Sequence, residues 1–240
     1  MNKKILNLYL LLFVCTGCVL SFNITVKKGN IPIILTVPHS GNVCLSDIDI
    51  RSGNSNCSFN LSNDLYVDVI ADKIYNKLNE LNGNKPYIIK NNIHRRYVDV
   101  NRDTDCGYEH RDTELIYSEY HSYIDRLITY LTKHYDDKIL LIDLHGQYSY
   151  VGDIFIGTNN GNSIDRDIEI DIVNTFNDMG YVTTSEYWKG GYTIKHYGKH
   201  INVNAIQIEI DKKYRFDEDM MNKFVSDFVL MIDKINKNNP

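Results

Sequence analysis

The sequence predicts an α/β protein, a three-layer α/β/α sandwich around a mainly parallel, mixed sheet. Two stretches carry that prediction. Residues 138–146 read KILLIDLHG and residues 33–41 read IILTVPHSG. Each holds an apolar run of the kind found in strands buried on both faces, and each ends in a histidine and a glycine. A third observation is the order of the other segments, where apolar runs of strand length alternate with stretches of helical period. His39 and His145 therefore arrive at the C-terminal ends of two buried strands, the edge at which open α/β sheets bind ligands. Asp143 stands two residues before His145, so on a regular strand the two point the same way.

The elements follow in order. Residues 32–37 form the first buried strand, and Pro38 ends it. Residues 42–63 are polar, rich in Ser and Asn, and predict a long loop. Ser62 or Asn63 caps a helix from Asp64 to about Leu81, with Leu65, Val69, Ile70, Ile74, Leu78 and Leu81 apolar, and Asn82-Gly83-Asn84 stops it. A short strand follows at 86–90. Residues 91–103 are dense in charge and predict a loop, with alternation at 97–100 leaving a short strand open. Asp112 caps a long helix, 113 to about 135, whose stripe is Leu115, Ile116, Tyr120, Ile124, Leu127, Ile128 and Leu131. His121 and His134 on that helix read as surface residues. After the central strand come a strand at 153–157, a helix at 164–179 and a strand near 181–184. Residues 188–198, rich in glycine and aromatics, predict a loop. Residues 203–210 form a buried strand and 216–235 the last helix.

Composition bounds the function. The chain has 240 residues, 43% hydrophobic and 24% charged, with a formal net charge of −5. That suits one sizeable domain, residues 22–240, and excludes disorder. With no long basic run, nucleic acid is not an expected partner. Residues 1–21 read as a secretory signal peptide: two lysines, a short apolar core, and Val19 and Ser21 at a small-residue cleavage site. The expected location is therefore secreted or in the secretory lumen, with no stable membrane insertion once the segment is removed. An alternative is a lipid anchor through Cys18. Beyond residue 21 lie Cys44, Cys57 and Cys106, an odd number that implies one disulfide and one free thiol. Cys44–Cys57 is the favoured pair, although the pairing stays open. Sequons at Asn23, Asn56 and Asn60 predict a glycoprotein.

Four motifs line up in order: VPHSG (37–41), RRYVDVNR (95–102), DLHG (143–146), and GGYTIKHYG followed by AIQIEI (190–210). Together they resemble the N-formylglutamate amidohydrolase family over nearly the whole chain past residue 21. The resemblance implies a phosphorylase/hydrolase-like fold related to zinc carboxypeptidases, and a hydrolase that uses one zinc ion to cleave an amide next to a carboxylate. It makes His39 and His145 metal ligands. The carboxylate that related enzymes carry three residues after the first histidine is absent, because Asn42 stands there. The family's Asp-x-x-Val-Asp stretch is matched by Asp64 to Asp68, which makes Asp64 the third ligand, with Asp47 and Asp68 as rivals. By the same likeness Asn101 and Arg102 hold a substrate carboxylate, and Arg96, Gly191, Tyr192 and His196 contribute to substrate binding.

The chemistry of these residue types agrees. Two histidines and a carboxylate with an open position make a catalytic zinc site, and Asp143 then orients a ligand. Arginine's fork suits a carboxylate. Alternation in 205–210 puts Ala205, Gln207 and Glu209 on one face of a late strand. A carboxylate there is costly to bury unless paired or functional; the carboxypeptidase-like relatives carry their general base on a comparable late strand, so the resemblance makes Glu209 the expected base, with Arg102 as its catalytic companion, the alternative being a Glu209 paired with Arg102 or Lys195. The expected activity is hydrolysis of a small acidic N-acyl amino acid or peptide. The alternatives are a zinc peptidase acting on γ-glutamyl or terminal peptide bonds, and an inactive binding protein of the same fold.

Overall fold

The computed structural model describes residues 18–20, 23–53, 56–57, 59–136, 138–148, 151–185 and 188–238. The signal-peptide reading falls outside these residues, except for a short strand, β1, Cys18–Leu20. The elements run β1 (Cys18–Leu20), β2 (Ile24–Lys27), β3 (Ile33–Val37), α1 (Val67–Asn82), β4 (Tyr87–Asn91), α2 (Thr104–Gly107), α3 (Arg111–His134), β5 (Ile139–Gln147), β6 (Ile154–Gly157), α4 (Arg166–Asp178), β7 (Thr183–Thr184), α5 (Tyr192–Tyr197), β8 (Val203–Asp211), α6 (Lys213–Phe216) and α7 (Glu218–Asn238). No helix among the described residues is long and apolar enough to cross a membrane.

The strands form one mixed sheet in the order β1-β2-β4-β3-β5-β8-β6-β7. The four central strands, β4-β3-β5-β8, are parallel to one another, while β2 joins β4 and β6 joins β8 antiparallel. Parallel neighbours need crossovers, and the helices that make them cover both faces. Alternation along β5 sorts its side chains between two cores. Leu140, Ile142 and Leu144 pack with α1, α4 and α7, and Ile139 and Leu141 pack with α3 and α5. This is the expected three-layer sandwich.

The connections determine where a ligand can sit. From β3 the chain crosses through α1 to β4 on one side. From β4 it crosses through α3 to β5 on the other side of β3. The C-terminal edge between β3 and β5 is thus a topological switch point, where the loops part and leave a crevice. Both predicted histidines lie there.

Several local expectations are corrected. The first helix starts at Val67, after Tyr66 in the left-handed region (φ 68°), so Asp64 precedes the helix instead of opening it. Its buried stripe is Val67, Ile70, Ala71, Ile74 and Leu78, whereas Leu65, Val69 and Leu81 are exposed. The end at Gly83 holds, with a left-handed C-cap whose N–H returns to Asn79 O. The long helix is capped by the His110 ring, which accepts from the Asp112 N–H, instead of by Asp112. Residues 97–100 form no strand. The aromatic loop contains the short helix α5, because Gly190 and Gly191 turn the chain so that Ile194 and Tyr197 reach the core. Leu115 is 64% exposed and leaves the α3 stripe to Tyr117. His121 is no surface residue: its Nδ1 is 2.8 Å from Tyr197 Oη and its Nε2 3.0 Å from Val100 O. Burial pushes its pKa down to about 4.

The disulfide joins Cys57 to Cys106, with Cα atoms 5.6 Å apart, and leaves Cys44 exposed and free. The favoured Cys44–Cys57 pair fails because residues 51–53, and Cys57 with them, pack against a distant segment. They run along the segment after β4, where Arg51 donates to Cys106 O and Arg95 O. The bond closes a span of 49 residues. Loop-closure entropy for that length is about 4 kcal/mol, with measured losses on removing native disulfides typically ~2–5. The double variant Cys57→Ser/Cys106→Ser should therefore lower the unfolding free energy by about 2–4 kcal/mol in urea titrations, and an unchanged midpoint would show that the bond does not form.

Candidate active site

The site begins with two backbone contacts that join segments far apart in sequence. The Asp64 N–H donates to His39 O at 2.9 Å, and the Ser40 hydroxyl donates to Asp64 O at 2.6 Å. Gly41 lets the loop after β3 press against the next strand's exit, since a Cβ there would lie 2.3 Å from the Asn92 carbonyl carbon. These contacts bring Asp64 beside His39, and β5, the neighbour of β3, supplies His145.

The predicted ligand set converges. His39 Nδ1 is 3.1 Å from His145 Nδ1, His145 Nδ1 is 2.9 Å from Asp64 Oδ2, and His39 Nδ1 is 3.5 Å from the same oxygen. All three residues are buried. Among the described residues this is the one group of three or more histidine, cysteine or acidic side chains with metal-binding spacing. Ligand atoms around a tetrahedral zinc at ordinary bond lengths stand about 3.3 Å apart, and these three span that range. Of the rivals, Asp47 is exposed beside Ser46. Asp68 sits inside α1, lining a cleft of about 280 Å³ with Ser40, Asn42 and Lys90.

Each histidine has its second nitrogen on a carboxylate. His39 Nε2 lies 2.6 Å from Asp99 Oδ1, and His145 Nε2 lies 2.9 Å from Asp143 Oδ2. A carboxylate at Nε2 makes that nitrogen the N–H donor and leaves the Nδ1 lone pair for a cation. The orienting role expected of Asp143 is therefore in place. Thr36 donates to its other oxygen at 2.6 Å. Asp99, its counterpart on His39, was not singled out. It is fully buried and held by Arg95 through both Nε and Nη2 at 2.8 Å. Burial opposes its charge, yet the neighbouring His39 and Arg95 hold its carboxyl well below the usual range. The Arg95–Asp99 spacing inside RRYVDVNR is the sequence signal that would have found it.

The charges follow from these contacts. Burial works against the Asp64 carboxylate, but the neighbouring His145 and His39 outweigh it and keep Asp64 ionised. For His145, burial favours the neutral ring, and Asp143 and Asp64 overturn this and raise its pKa. The site thus attracts positive charge from both sides.

Glu209 pairs in register with His145 across β5 and β8. It contacts neither Arg102 nor Lys195. Gln207 holds it instead, donating from Nε2 to Oε1 at 2.7 Å while its own Oε1 accepts from the Gly191 N–H at 2.6 Å. Burial pushes the Glu209 pKa up to about 7, against the lowering pull of His145.

The remaining predicted residues divide. Asn101 lies against His145, its Nδ2 2.9 Å from His145 Nε2. Its Oδ1 accepts from the Thr193 N–H and hydroxyl, and its Nδ2 donates to Asp143, so it fixes the site's frame. Arg102 lies at the rim with Nη1 on Asn101 O at 2.9 Å and Nε 4.0 Å from Asp99. Gly191 is buried, and Tyr192 is half-buried on the same side as Arg102. Arg96 and His196 make no recorded contact with the three ligands. Arg96 reaches His94 Nε2, and His196 is exposed and stacked on Tyr192. Beyond Asp99 and Arg95, sequence reasoning also missed Thr36, Gln207 as the holder of Glu209, and Arg215.

With the geometry in view, the comparisons place it. Residues 108–214 match the family model described as N-formylglutamate amidohydrolase. That stretch contains DLHG, the glycine-aromatic segment and AIQIEI. The chain resembles the N-formylglutamate amidohydrolase family. The fold resembles a solved N-formylglutamate amidohydrolase from Ralstonia eutropha JMP134, with a TM-score of 0.70 and 15% identity over 90% of this chain and 98% of that one. It also resembles a solved gene product of Agrobacterium tumefaciens, with a TM-score of 0.68 and 11% identity over 88% and 92% of the two chains. No curated protein matches the sequence. At such identities the solved structures bear on the fold alone, a mixed, mostly parallel sheet flanked by helices.

The raised pKa of Glu209 has a consequence for stability. An acid with a folded pKa near 7 and an ordinary unfolded pKa near 4.5 binds more protons when folded. Its contribution is fully present below about pH 4.5 and is lost as pH rises through about 7. In chelator-treated protein, Glu209→Gln should match wild type in melting temperature at pH 4.5 and exceed it at pH 8. Equal temperatures at both pH values would show that Glu209 ionises normally.

Proposed function

We propose that this chain is a zinc-dependent amidohydrolase that cleaves the amide bond of a small N-acyl acidic amino acid, of the N-formylglutamate type. The observation that carries the reading is the triangle of His39 Nδ1, His145 Nδ1 and Asp64 Oδ2, with a carboxylate behind each imidazole and Glu209 alongside. Zinc bound there supplies a Lewis acid that polarises the amide carbonyl and lowers the pKa of water toward neutrality.

The chain's own residues supply the rest. Glu209, with a pKa near neutrality, is matched to proton transfer at working pH. With Gln207 fixed on Oε1, Oε2 takes a proton from the attacking water and returns it to the amine nitrogen as the carbon–nitrogen bond breaks. Water's oxygen ends on the acyl carbon, giving a carboxylate and an amine. Arg102, at the rim beside Tyr192, presents a planar fork to the substrate's carboxylate. Asp99 and Asp143 keep the two imidazoles oriented throughout. The Cys57–Cys106 bond supports a secreted location, since disulfides persist in oxidising compartments. The exposed sequon residues Asn56 and Asn60 fit the same route.

Elemental analysis of purified protein should find one zinc per chain, and His145→Ala should abolish its uptake. A His145→Ala variant with wild-type zinc affinity would remove that residue from the site. Glu209→Gln should keep its zinc and fold while turnover of an N-acyl glutamate falls by about 10²–10⁴. Near-wild-type turnover in that variant would assign the proton to another group.

A further inference from the structure

Arg215 is fully buried, and its guanidinium bonds to three carbonyls instead of a carboxylate: Nη1 to Leu65 O at 2.8 Å, Nη2 to Gln147 O at 2.9 Å and Nε to Ile210 O at 3.1 Å. Those carbonyls belong to the three segments that carry Asp64, His145 and Glu209, each one or two residues further on. Gly146 accommodates it, since a Cβ there would lie 2.4 Å from the guanidinium carbon. The glycine of DLHG is therefore required by Arg215 and not by a turn.

Two aromatic rings stand against this cation, and a third stands against one of them. Tyr148 and Phe216 have their centroids 4.8 and 5.3 Å from the guanidinium carbon, and Tyr66 meets Phe216 edge-to-face at 5.0 Å. All three are half exposed, at 47% for Tyr66, 50% for Tyr148 and 51% for Phe216. Tyr66 holds its place with φ at 68°, a conformation costly for a tyrosine. Exposed aromatic clusters on soluble proteins mark binding surfaces, and this one rests on the arginine that binds the segments of Asp64, His145 and Glu209. Alternation along β5 settles its side. Gly146 and Arg215 lie on the α1 and α7 face, whereas Asn101, Arg102 and Tyr192 lie toward α3 and α5.

We propose that Tyr66, Tyr148 and Phe216 form a subsite for the acyl group of the substrate, and that the preferred acyl group is a flat apolar one such as an aroyl. This rests on the amidohydrolase reading. With the substrate's carboxylate at Arg102 on one side of the edge, the acyl group extends to the opposite side, over the rings. The platform offers ring faces, so it selects an aromatic or similarly flat group by stacking and burial. A formyl group is too small to reach it.

The test compares N-benzoylglutamate, N-formylglutamate and N-formylphenylalanine on zinc-loaded wild type, Tyr66→Gly and Phe216→Ala. Tyr66→Gly removes the ring and relieves the backbone at once, so its melting temperature should not fall. Wild type should favour N-benzoylglutamate over N-formylglutamate by about tenfold in kcat/KM, and both variants should bring that ratio near one. A ratio near one in wild type, or a preference surviving both substitutions, overturns the subsite. Preference for N-formylphenylalanine over N-formylglutamate would place the ring on the amino-acid side and overturn the acyl assignment. If none of the three is hydrolysed, the amidohydrolase reading fails, and calorimetry in the Glu209→Gln background decides the platform. Tighter binding of N-benzoylglutamate than of N-formylglutamate, lost on adding Tyr66→Gly, supports it, and equal binding overturns it.

Discussion

Two imidazole nitrogens facing each other across 3.1 Å in a buried place are the constraint on which the site depends. Each ring is turned that way by a carboxylate on its far nitrogen, so the facing positions carry lone pairs, and lone pairs repel. Something positive must stand between them: a proton on one ring or a cation shared by both and by Asp64. Asp64 Oδ2, 2.9 Å from one of these nitrogens, adds negative charge to the same point. The fold therefore spends buried charge to concentrate negative potential at one spot on the β3–β5 edge. Such an arrangement is costly unless an ion repays it.

The surrounding positive charge keeps that concentration from unfolding the loops. Asp99 carries the load on the His39 side, and Arg95 binds it with two donors while Arg51 and Arg102 stand 3.9 and 4.0 Å from it. Arg51 in turn donates to backbone carbonyls of residues 60, 95 and 106. The long polar stretch before α1, which forms no helix or strand among its described residues, is thus held by one buried arginine and by the disulfide. It delivers Asp64 to the site without a helix or strand to carry it. On the His145 side no arginine or lysine among the described residues pairs with Asp143. Thr36 and Asn101 satisfy Asp143 with neutral donors, and Asp143 and Asp64 together raise the His145 pKa.

Much of this was legible in the sequence, and the limits have physical causes. The buried strands were readable because parallel strands covered on both faces are continuous apolar runs, and the His-Gly endings located the edge. Asp64, His39 and His145 were reached by resemblance, and the geometry brings them together. Asp99 escaped because a buried carboxylate in a charge-dense loop looks like a solvated one until its arginine is seen to be buried too. Arg215 escaped for a similar reason. It sits among Lys212, Lys213 and Asp217, where composition predicts a surface turn. The helix start at Val67 was missed because no propensity rule anticipates a tyrosine in the left-handed region. The disulfide was misassigned because proximity in sequence says nothing about a loop that packs against a segment 49 residues away.

The placement of Arg215 explains how three segments so distant in sequence are tied to one another beside the site. Side-chain packing alone tolerates small slips of one strand against another. A guanidinium presents its donors in one rigid plane, so three carbonyls bound to it cannot shift independently. Desolvating that charge is costly, and the cost is met only while all three carbonyls remain in place. The segments after Asp64, His145 and Glu209 are therefore coupled: displacing any one strips a hydrogen bond from a buried cation. The two rings against its flanks exclude water from those bonds, and in doing so they leave their outer surfaces exposed. Rigidity of the site and exposure of the rings then have a single origin, a buried arginine that required both a glycine beneath it and aromatic cover around it.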